Sequence, residues 1–412
     1  MIGGPGNDQF INQGHGRKPI VYDVNFEQNS ISGNGAIKNR ISNDPQNNLY
    51  TRLGYRYSFL TPAPTLEYST DGGLFLGIKL KMTTAGFRKD PFSTTHLLIG
   101  TRAINSSSYH IKYTGDLFKV IGNTDIQIRA DVKLPTSRTH FFGLGNNSVF
   151  DQTKPGKHKY YLAHYELADI SVLARNIINP WLQIKYGGIY QYFKLSGKEN
   201  NGKYISTLNS YPINPDPKIT YAGRSYAGGE LRFEINTKNS LIIPTRGIAL
   251  NAYGRFLGGL NKYSHNVTQT GGDLTLYTDF ISKKKVVLAT SFGASHIFGN
   301  YEFEQAQYLG FKQNLRGFRI TRFGGRSRAY NNTELRIKIA DINTYLFPAS
   351  FGILAFNDVG RVWENGESST AWHDGYGGGI WLAPVDRFVV TASLTASKEE
   401  KRLALVTFGF QF

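Results

Sequence analysis

Nine histidines and one Gly-Asp segment are the residues of this 412-residue chain suited by type to metal or proton chemistry. His373 and Asp374 are adjacent, and a strand sends neighbours to opposite faces, so they cannot act together without a bulge. His140, His158 and His164 lack the His-x-x-x-His spacing of a helical metal site. Neither a Gly-x-Ser-x-Gly elbow nor a complete phosphate-binding Gly-x-x-x-x-Gly-Lys-Ser/Thr occurs. The chain has no cysteine, which excludes disulfides and Cys-based zinc or iron–sulfur sites. The histidines read as structural or solvated. No catalytic residue, cofactor or metal is assigned, and the chain reads as a non-enzyme. Gly3-Gly4-Pro5-Gly6-Asn7-Asp8-Gln9-Phe10 matches one Gly-Gly-x-Gly-x-Asp unit of the parallel β-helices whose stacked turns bind calcium. One copy cannot complete such a site, which leaves a Gly-rich turn or the end of a longer repeat. Lys283-Lys284-Lys285 reads as a solvated turn between strands, with headgroup contact as the other option.

The elements that carry these residues are strands. Toward the C-terminus Ala404, Val406, Phe408, Phe410 and Phe412 share one parity, against Leu403, Leu405, Thr407, Gly409 and Gln411. A closing strand with aromatics at its very end is the pattern of an outer-membrane barrel, its phenylalanines turned to lipid and interface. Ile126, Ile128, Ala130, Val132 and Leu134 alternate with Gln127, Arg129, Asp131 and Lys133. Charges at three inner positions would be intolerable in a dry sandwich core and are natural beside a water-filled lumen. The alternation recurs from Leu182 to Tyr186, from Glu334 to Ile339 and from Phe388 to Ser397. It turns Glu334, Arg336 and Lys338 to one face.

Composition agrees. Apolar residues make up 40% of the chain while aromatics reach 14%, with 45 glycines. No run of eighteen apolar residues exists, which excludes transmembrane helices. A net charge of +17 raises nucleic acid. The basic residues are scattered along alternating strands with no accompanying motif, so anionic lipid headgroups or a positive lumen explain the sign better. Trp181, Trp363, Trp372 and Trp381 fall near strand ends, where interfacial anchoring is expected.

The chain divides into residues 1–60, a Gly/Asn-rich periplasmic leader read as a linker or the end of a β-helical repeat, and residues 61–412. The second part reads as an all-β transmembrane antiparallel barrel of sixteen strands, with fourteen and eighteen as alternatives. About fifteen segments are directly legible, and the missing one falls between Pro135 and Pro180. No secretory signal follows Met1, which implies a fragment, a mature form or an internal start.

Between a strand ending near Phe298 and one starting near Arg328 lies Gln313-Asn314-Leu315-Arg316-Gly317-Phe318-Arg319. Asn332-Thr333-Glu334-Leu335-Arg336 and Phe356-Asn357-Asp358-Val359-Gly360 follow. Here the chain resembles the BamA/TamA outer-membrane assembly and translocation family, also called bacterial surface antigens. The resemblance covers roughly residues 60–412. Pro62-Ala63-Pro64 with Tyr68-Ser69-Thr70-Asp71-Gly72-Gly73-Leu74 resembles the approach to the family's first strand. Phe141-Phe142-Gly143-Leu144-Gly145-Asn146 resembles an internal segment of one branch, and five strands after the loop fit the family fold.

The resemblance implies a long loop tucked into the barrel, with Leu315-Arg316-Gly317-Phe318 at its tip. Arg316 would pair with the inward acids Glu334 and Asp358. Gly317 would permit the tight backbone and Phe318 would anchor it. Phe408, Phe410 and Phe412 would be the C-terminal barrel signal. It implies an integral protein of a Gram-negative outer membrane that helps insert or translocate polypeptides through the seam of first and last strands. Its partners would be client polypeptides, accessory assembly proteins and outer-membrane lipid with anionic headgroups, and no nucleic acid. The leader is too short for the family's docking modules of about eighty residues. With Asn48-Leu49-Tyr50-Thr51-Arg52 it resembles the joint of Bacteroidetes-type proteins in which a metallophosphoesterase precedes such a barrel. The alternative is therefore a membrane anchor or exit barrel for an upstream phosphoesterase-like domain, ahead of a passive porin.

Overall fold

A computed structural model describes residues 1–48, 57–69, 73–87, 89, 91–104, 106–151, 153–154, 156–208, 216–280, 285–343, 348–400 and 402–412. Leu49 to Arg52, Thr70 to Gly72, and Lys283 with Lys284 lie outside the described residues. Two compact units emerge: Met1–Thr61 with Met82–Thr95, and Pro62–Lys81 with His96–Phe412.

In the first unit four short strands pair in parallel. β1 (Gln9–Ile11) lies beside β3 (Ser30–Ser32), and β2 (Ile20–Val21) beside β4 (Lys38–Asn39). Single parallel bridges join Ile2 to Tyr22 and Val24 to Ser42. Each partner lies about twenty residues further along the chain, so the backbone winds in successive turns. Phe10, Val21 and Val24 are buried within them.

The second unit holds most of one sheet of sixteen antiparallel strands. In order they are β5 (Phe59–Ser69), β6 (Gly73–Thr84), β7 (Thr94–Ala103), β8 (Tyr109–Ile121), β9 (Thr124–His140), β10 (Leu162–Asn179), β11 (Leu182–Leu195), β12 (Arg224–Asn236), β13 (Gly247–Gly259), β14 (Val267–Asp279) and β15 (Val286–Gly299). A loop carrying the short β16 (Gln307–Leu309) and β17 (Phe323–Gly325) intervenes. Then come β18 (Ser327–Asn343), β19 (Pro348–Trp363), β20 (His373–Pro384), β21 (Val390–Ser397) and β22 (Leu403–Phe408). The strand missed between Pro135 and Pro180 is resolved: residues 141–161 separate the long β9 and β10. β5 and β22 are the edges of the sheet, and among the described residues no ladder joins them. Among those residues no helix is long and apolar enough to cross a membrane.

Period-two alternation explains which side chains turn inward. Along β15, Val287, Ala289, Ser291, Gly293, Ser295 and Ile297 are shielded while Phe292 and Phe298 are exposed on the outer face. The inner wall is charged and internally paired. Arg175 reaches Asp116 and Asp125 at 2.9 Å each. Arg255 joins Asp169 at 2.9 Å to Glu230 at 3.1 Å, and Lys185 meets Glu234 at 2.6 Å. A lipid-exposed wall could not hold such groups, whereas a lumen can.

Apolar clusters form where loops enter this lumen. Phe303 packs with Phe141, Tyr165, Leu167 and Phe193, and Tyr301 with Tyr226, Leu257 and Ile297. Leu309, Leu315, Phe318, Phe323 and Val362 make a third cluster, all at 0% exposure. Residues 300–326 are thus an internal plug anchored by its own hydrophobes.

Two orientations differ from the sequence expectation. β22 stops at Phe408, which is 84% exposed, because Gly409 takes φ +94 and turns the chain out of the strand's alternation. Phe410 then packs against Trp381, ring centroids 5.5 Å apart, instead of facing lipid. Trp381 itself is 3% exposed in an inner-face cluster with Leu354 and Phe356 and is not an interfacial anchor. Trp363 and Trp372 pair edge-on at 6.1 Å and stay exposed.

Candidate functional site

The loop from β15 to β18 is shaped locally before it meets the wall. β16 and β17 pair as an antiparallel hairpin, Gln307 opposite Gly325 and Leu309 opposite Phe323. At its end Phe311–Asn314 forms one helical turn. Asn314 Oδ1 accepts from Gly310 N at 2.9 Å, and its Nδ2 donates to Tyr308 O at 3.0 Å. Phe311 N donates to Phe318 O at 3.0 Å, closing the tip. Residues 315–317 project from this closed frame, with the Leu315 and Phe318 side chains buried below them.

Arg316 is 4% exposed and satisfied on every side. Its Nε and backbone N donate to Asp358 Oδ2 at 2.7 and 2.9 Å, and its Nη2 donates to Asp358 Oδ1 at 2.7 Å. Its Nη1 donates to Glu334 Oε2 at 2.5 Å. The guanidinium lies 3.6 Å over the Phe356 ring. Glu334 and Asp358 are 1% and 0% exposed. Glu334 also accepts from Arg336 Nε at 2.7 Å. Two cations and two carboxylates therefore share one enclosed site of zero net charge, the arrangement that makes burying them tolerable. A planar guanidinium fork suits a bidentate carboxylate, so the pair fixes orientation as well as distance. The structure brings Arg316, Glu334 and Asp358 together, with Leu315, Gly317 and Phe318 flanking them.

Several contributors escaped the sequence reading. Asn332 Nδ2 donates to Asn314 O at 3.0 Å, and Arg328 Nη1 to Tyr308 O at 2.7 Å. Both share the parity of Glu334 and Arg336, so one inner row of β18 grips the whole loop. That parity was the available signal. Gly375 was missed as well. A Cβ there would sit 1.8 Å from Arg316 O, and one on Gly317 (φ +91) would sit 2.7 Å from Ala396 O. The loop tip thus lies with its bare backbone against β20 and β21. The run Gly375-Tyr376-Gly377-Gly378-Gly379 was the hint.

The loop's return limb is clamped separately. Arg322 Nη1 and Nη2 donate to Ser148 Oγ and O at 2.9 and 2.8 Å, and Arg322 approaches Glu400 at 3.1 Å. Burial pushes the Glu400 carboxyl up, against the pull of Arg322 and Arg319. The segment after β9 joins in: Asn146 exchanges two hydrogen bonds with Val362, at 2.8 and 3.0 Å, and Gly145 N donates to Gly324 O at 2.7 Å. On the outgoing limb burial drives Glu302 and Glu304 up to about 7. Glu302 meets Arg224 at 2.5 Å, whereas Glu304 Oε2 is buried without a hydrogen-bond partner.

The terminal aromatics divide. Phe408 stands away from the cluster, while Arg336 lies 3.9 Å over the Phe410 ring and donates to Phe412 O at 2.9 Å. His140 and His158 meet edge-on with ring centroids 6.2 Å apart, and among the described residues no third histidine joins them. His373 stacks on Phe323 at 3.5 Å and meets Glu399 at 2.6 Å, while Asp374 accepts from Asn357 at 2.6 Å. Among the described residues no three His, Cys, Asp or Glu side chains gather to hold a metal ion.

A sixteen-stranded antiparallel barrel with a long loop latched inside it defines the class: a transmembrane β-barrel of the BamA/TamA type. The Omp85 superfamily domain matches residues 136–412, and the chain belongs to that superfamily. Among solved structures, BamA from Haemophilus ducreyi lacking POTRA domains 1–3 is 15% identical, with a TM-score of 0.59 over 93% of this chain and 73% of that one. CdiB from Escherichia coli is 10% identical, with a TM-score of 0.54 over 85% of this chain and 61% of that one. At these identities the likeness is one of fold. A search of curated proteins finds no match.

Proposed function

We propose that this chain is an integral outer-membrane barrel that helps insert or translocate polypeptides, with client chains and accessory proteins as partners and anionic lipid around it. The observation that carries the reading is the buried latch of Arg316 on Glu334 and Asp358 within a barrel of this superfamily. A diffusion channel needs no plug held by four charged side chains and a glycine contact. The seam is the second support. β22 has only six residues and β5 eleven, so the sheet edges offer a short and weak closure that can open sideways and pair with an incoming strand. The acids orient the loop, and Phe408 marks the lipid side of the closing strand.

The absence of cysteine makes the test clean. Cysteine pairs placed along β5 and β22 are oxidised to lock the seam in proteoliposomes, and insertion of an unfolded client barrel is followed with and without reductant. Locked protein should lose the activity and regain it on reduction. Full activity while locked would refute the reading. It would favour the second one, an anchor or exit barrel for another domain, which the parallel-wound first unit supports.

A further inference from the structure

The first unit holds a buried carboxylate that no charged group among the described residues neutralises. Asp23 is 0% exposed. Its Oδ1 accepts only from the adjacent Val24 N at 2.8 Å, and its Oδ2 has no hydrogen-bond partner. Among the described residues no Lys, Arg or His pairs with it. An isolated buried carboxylate is too costly to persist without a counter-charge or a proton. Its surroundings show which of these the site is built for. Oδ2 points at Gly3, 2.1 Å from where a Cβ on that residue would sit, and Asp8 Oδ2 lies 2.7 Å from the same point. The two carboxylate oxygens are therefore at most about 5 Å apart, both beside space that a Cβ on Gly3 would fill. Asp8 Oδ2 has one donor, Gly4 N at 2.8 Å.

Nearby, the Asn48 Nδ2 donates to Gly4 O and to Glu27 Oε2, each at 2.9 Å, while its Oδ1 is buried with no donor. Asn47 Nδ2 ties Asp23 O at 3.1 Å. Asp23 Oδ2 and Asn48 Oδ1 are thus acceptors without donors in this winding, and Asp8 Oδ2 lies close to the first of them. Asp8 belongs to the first turn and Asp23 to the second. Acceptor-only oxygens, two of them anionic, are what a hard divalent cation binds, and six to eight oxygens including water at about 2.3–2.6 Å suit Ca²⁺ better than Mg²⁺.

We infer that Asp8 and Asp23, with water completing the shell, bind one Ca²⁺ that ties successive turns of the first unit together. Gly3 gives the cation its room. The Gly-Gly-x-Gly-x-Asp segment supplies Asp8 from one turn, and Asp23 from the next supplies what a single copy of the motif lacks.

The test uses the full chain in detergent, stripped with EGTA and titrated with CaCl₂, with MgCl₂ in parallel. Binding is followed calorimetrically, and proteolysis within residues 1–48 is timed in Ca²⁺ and in EGTA. Wild type should take up one Ca²⁺ per chain with a Kd in the range of about 10⁻⁵–10⁻³ M. Saturating Ca²⁺ should slow cleavage about tenfold, in line with the linkage between binding and local stability. Asp8→Asn, at a partly exposed position, should weaken binding at least about tenfold by removing half the anionic charge. Asp23→Asn should abolish it, and in EGTA should resist protease at least as well as wild type because the amide removes the uncompensated charge. Absence of saturable Ca²⁺ uptake by the folded wild type up to about 10 mM, well above the weak end of that range, would overturn the proposal. So would unchanged binding in both variants. Protease resistance that is equal in Ca²⁺ and EGTA would overturn it too.

Discussion

Replacing Arg316 by alanine deletes one of two cations from an enclosed set of four charges. Asp358, at 0% exposure, would keep only the backbone N of residue 316 as a loop donor among the described residues, losing the Nε and Nη2 bonds. Glu334 would keep Arg336 Nε. The site would pass from neutral to a net charge of −1. Breaking a buried pair in this way costs about 3–5 kcal/mol, chiefly through the carboxylate left behind. Water in the lumen moderates this, so the lower half of that range is expected. Barrel strands do not depend on the latch for their ladders, so the loss should appear as local opening of residues 300–326. At about 1.4 kcal/mol per decade, hydrogen-exchange protection of the Phe311 amide, which donates to Phe318 O, should fall about 10²- to 10³-fold. The heat-modifiable migration of the folded barrel should be unchanged. Arg316→Lys tests geometry separately from charge: an ammonium cannot make the two-pronged contact to Asp358 and still reach Glu334, so it should fall between alanine and wild type. Unchanged exchange in the alanine variant would refute the latch. Lysine equal to arginine would refute the claim that orientation matters.

Three further outcomes follow from the same contacts. Gly375→Ala should displace the loop tip, because its Cβ would meet Arg316 O at 1.8 Å; faster proteolysis of the loop with an intact barrel checks this. Glu302 and Glu304 have carboxyls raised by burial to about 7 from an ordinary 4.5. Their contribution to loop stability is complete below about pH 4.5 and is lost as pH rises through about 7. Loop protection factors, corrected for the base-catalysed rise in intrinsic exchange, should therefore fall between pH 5 and pH 8, less so in Glu304→Gln, and pH-independent protection in wild type would refute it. Phe410→Ala should cost about 2 kcal/mol of barrel stability through lost contact with Trp381 and Arg336, whereas Phe408→Ala should cost little in detergent, as its side chain is exposed. Equal losses in denaturant melts would contradict the inward turn at Gly409.

What the sequence shows of this protein depends on how far a local rule carries. Period-two alternation carries along any regular strand, so it placed Gln127 and Arg129 inside, and gave Glu334 its lumen orientation before any fold was known. The same rule failed at Phe410 because one left-handed glycine, Gly409, ended the alternation immediately before it. It also could not place Trp381, whose distance from a strand end says nothing about which face it occupies. The strand between Pro135 and Pro180 was hidden for a different reason. β9 and β10 are long, and both break register with their partners, between Leu117 and Ile121 for β8–β9 and between Tyr165 and Leu167 for β10–β9. Such irregularities interrupt the pattern that makes a strand readable. The latch was legible only through family resemblance, since Arg316 and Asp358 lie forty-two positions apart. Gly375 was only hinted at by its glycine-rich run: its role is the space it leaves for another segment's backbone, and a sequence does not display space.

Arg336 gives the latch its reach. It bonds Glu334 with one nitrogen and the Phe412 carbonyl with another, and it lies across the Phe410 ring. Glu334 in turn holds Arg316. The loop tip and the last residue of the chain are therefore one shared carboxylate and one shared cation apart. Groups in a single hydrogen-bonded network do not contribute additively. If Arg316 leaves, Glu334 has Arg336 to itself and can draw it from Phe412, and if the terminus leaves, Arg336 is freed toward Glu334. A change in the loop would thereby reach Phe410 and Phe412, just beyond the end of β22. This coupling requires no movement of the barrel wall between the two places, because the row of inward β18 side chains already connects them. In a barrel proposed to work by opening its seam, a neutral quartet of charges serves better than an apolar plug. An apolar contact would hold the loop as firmly, but it would pass no directional constraint to the terminus.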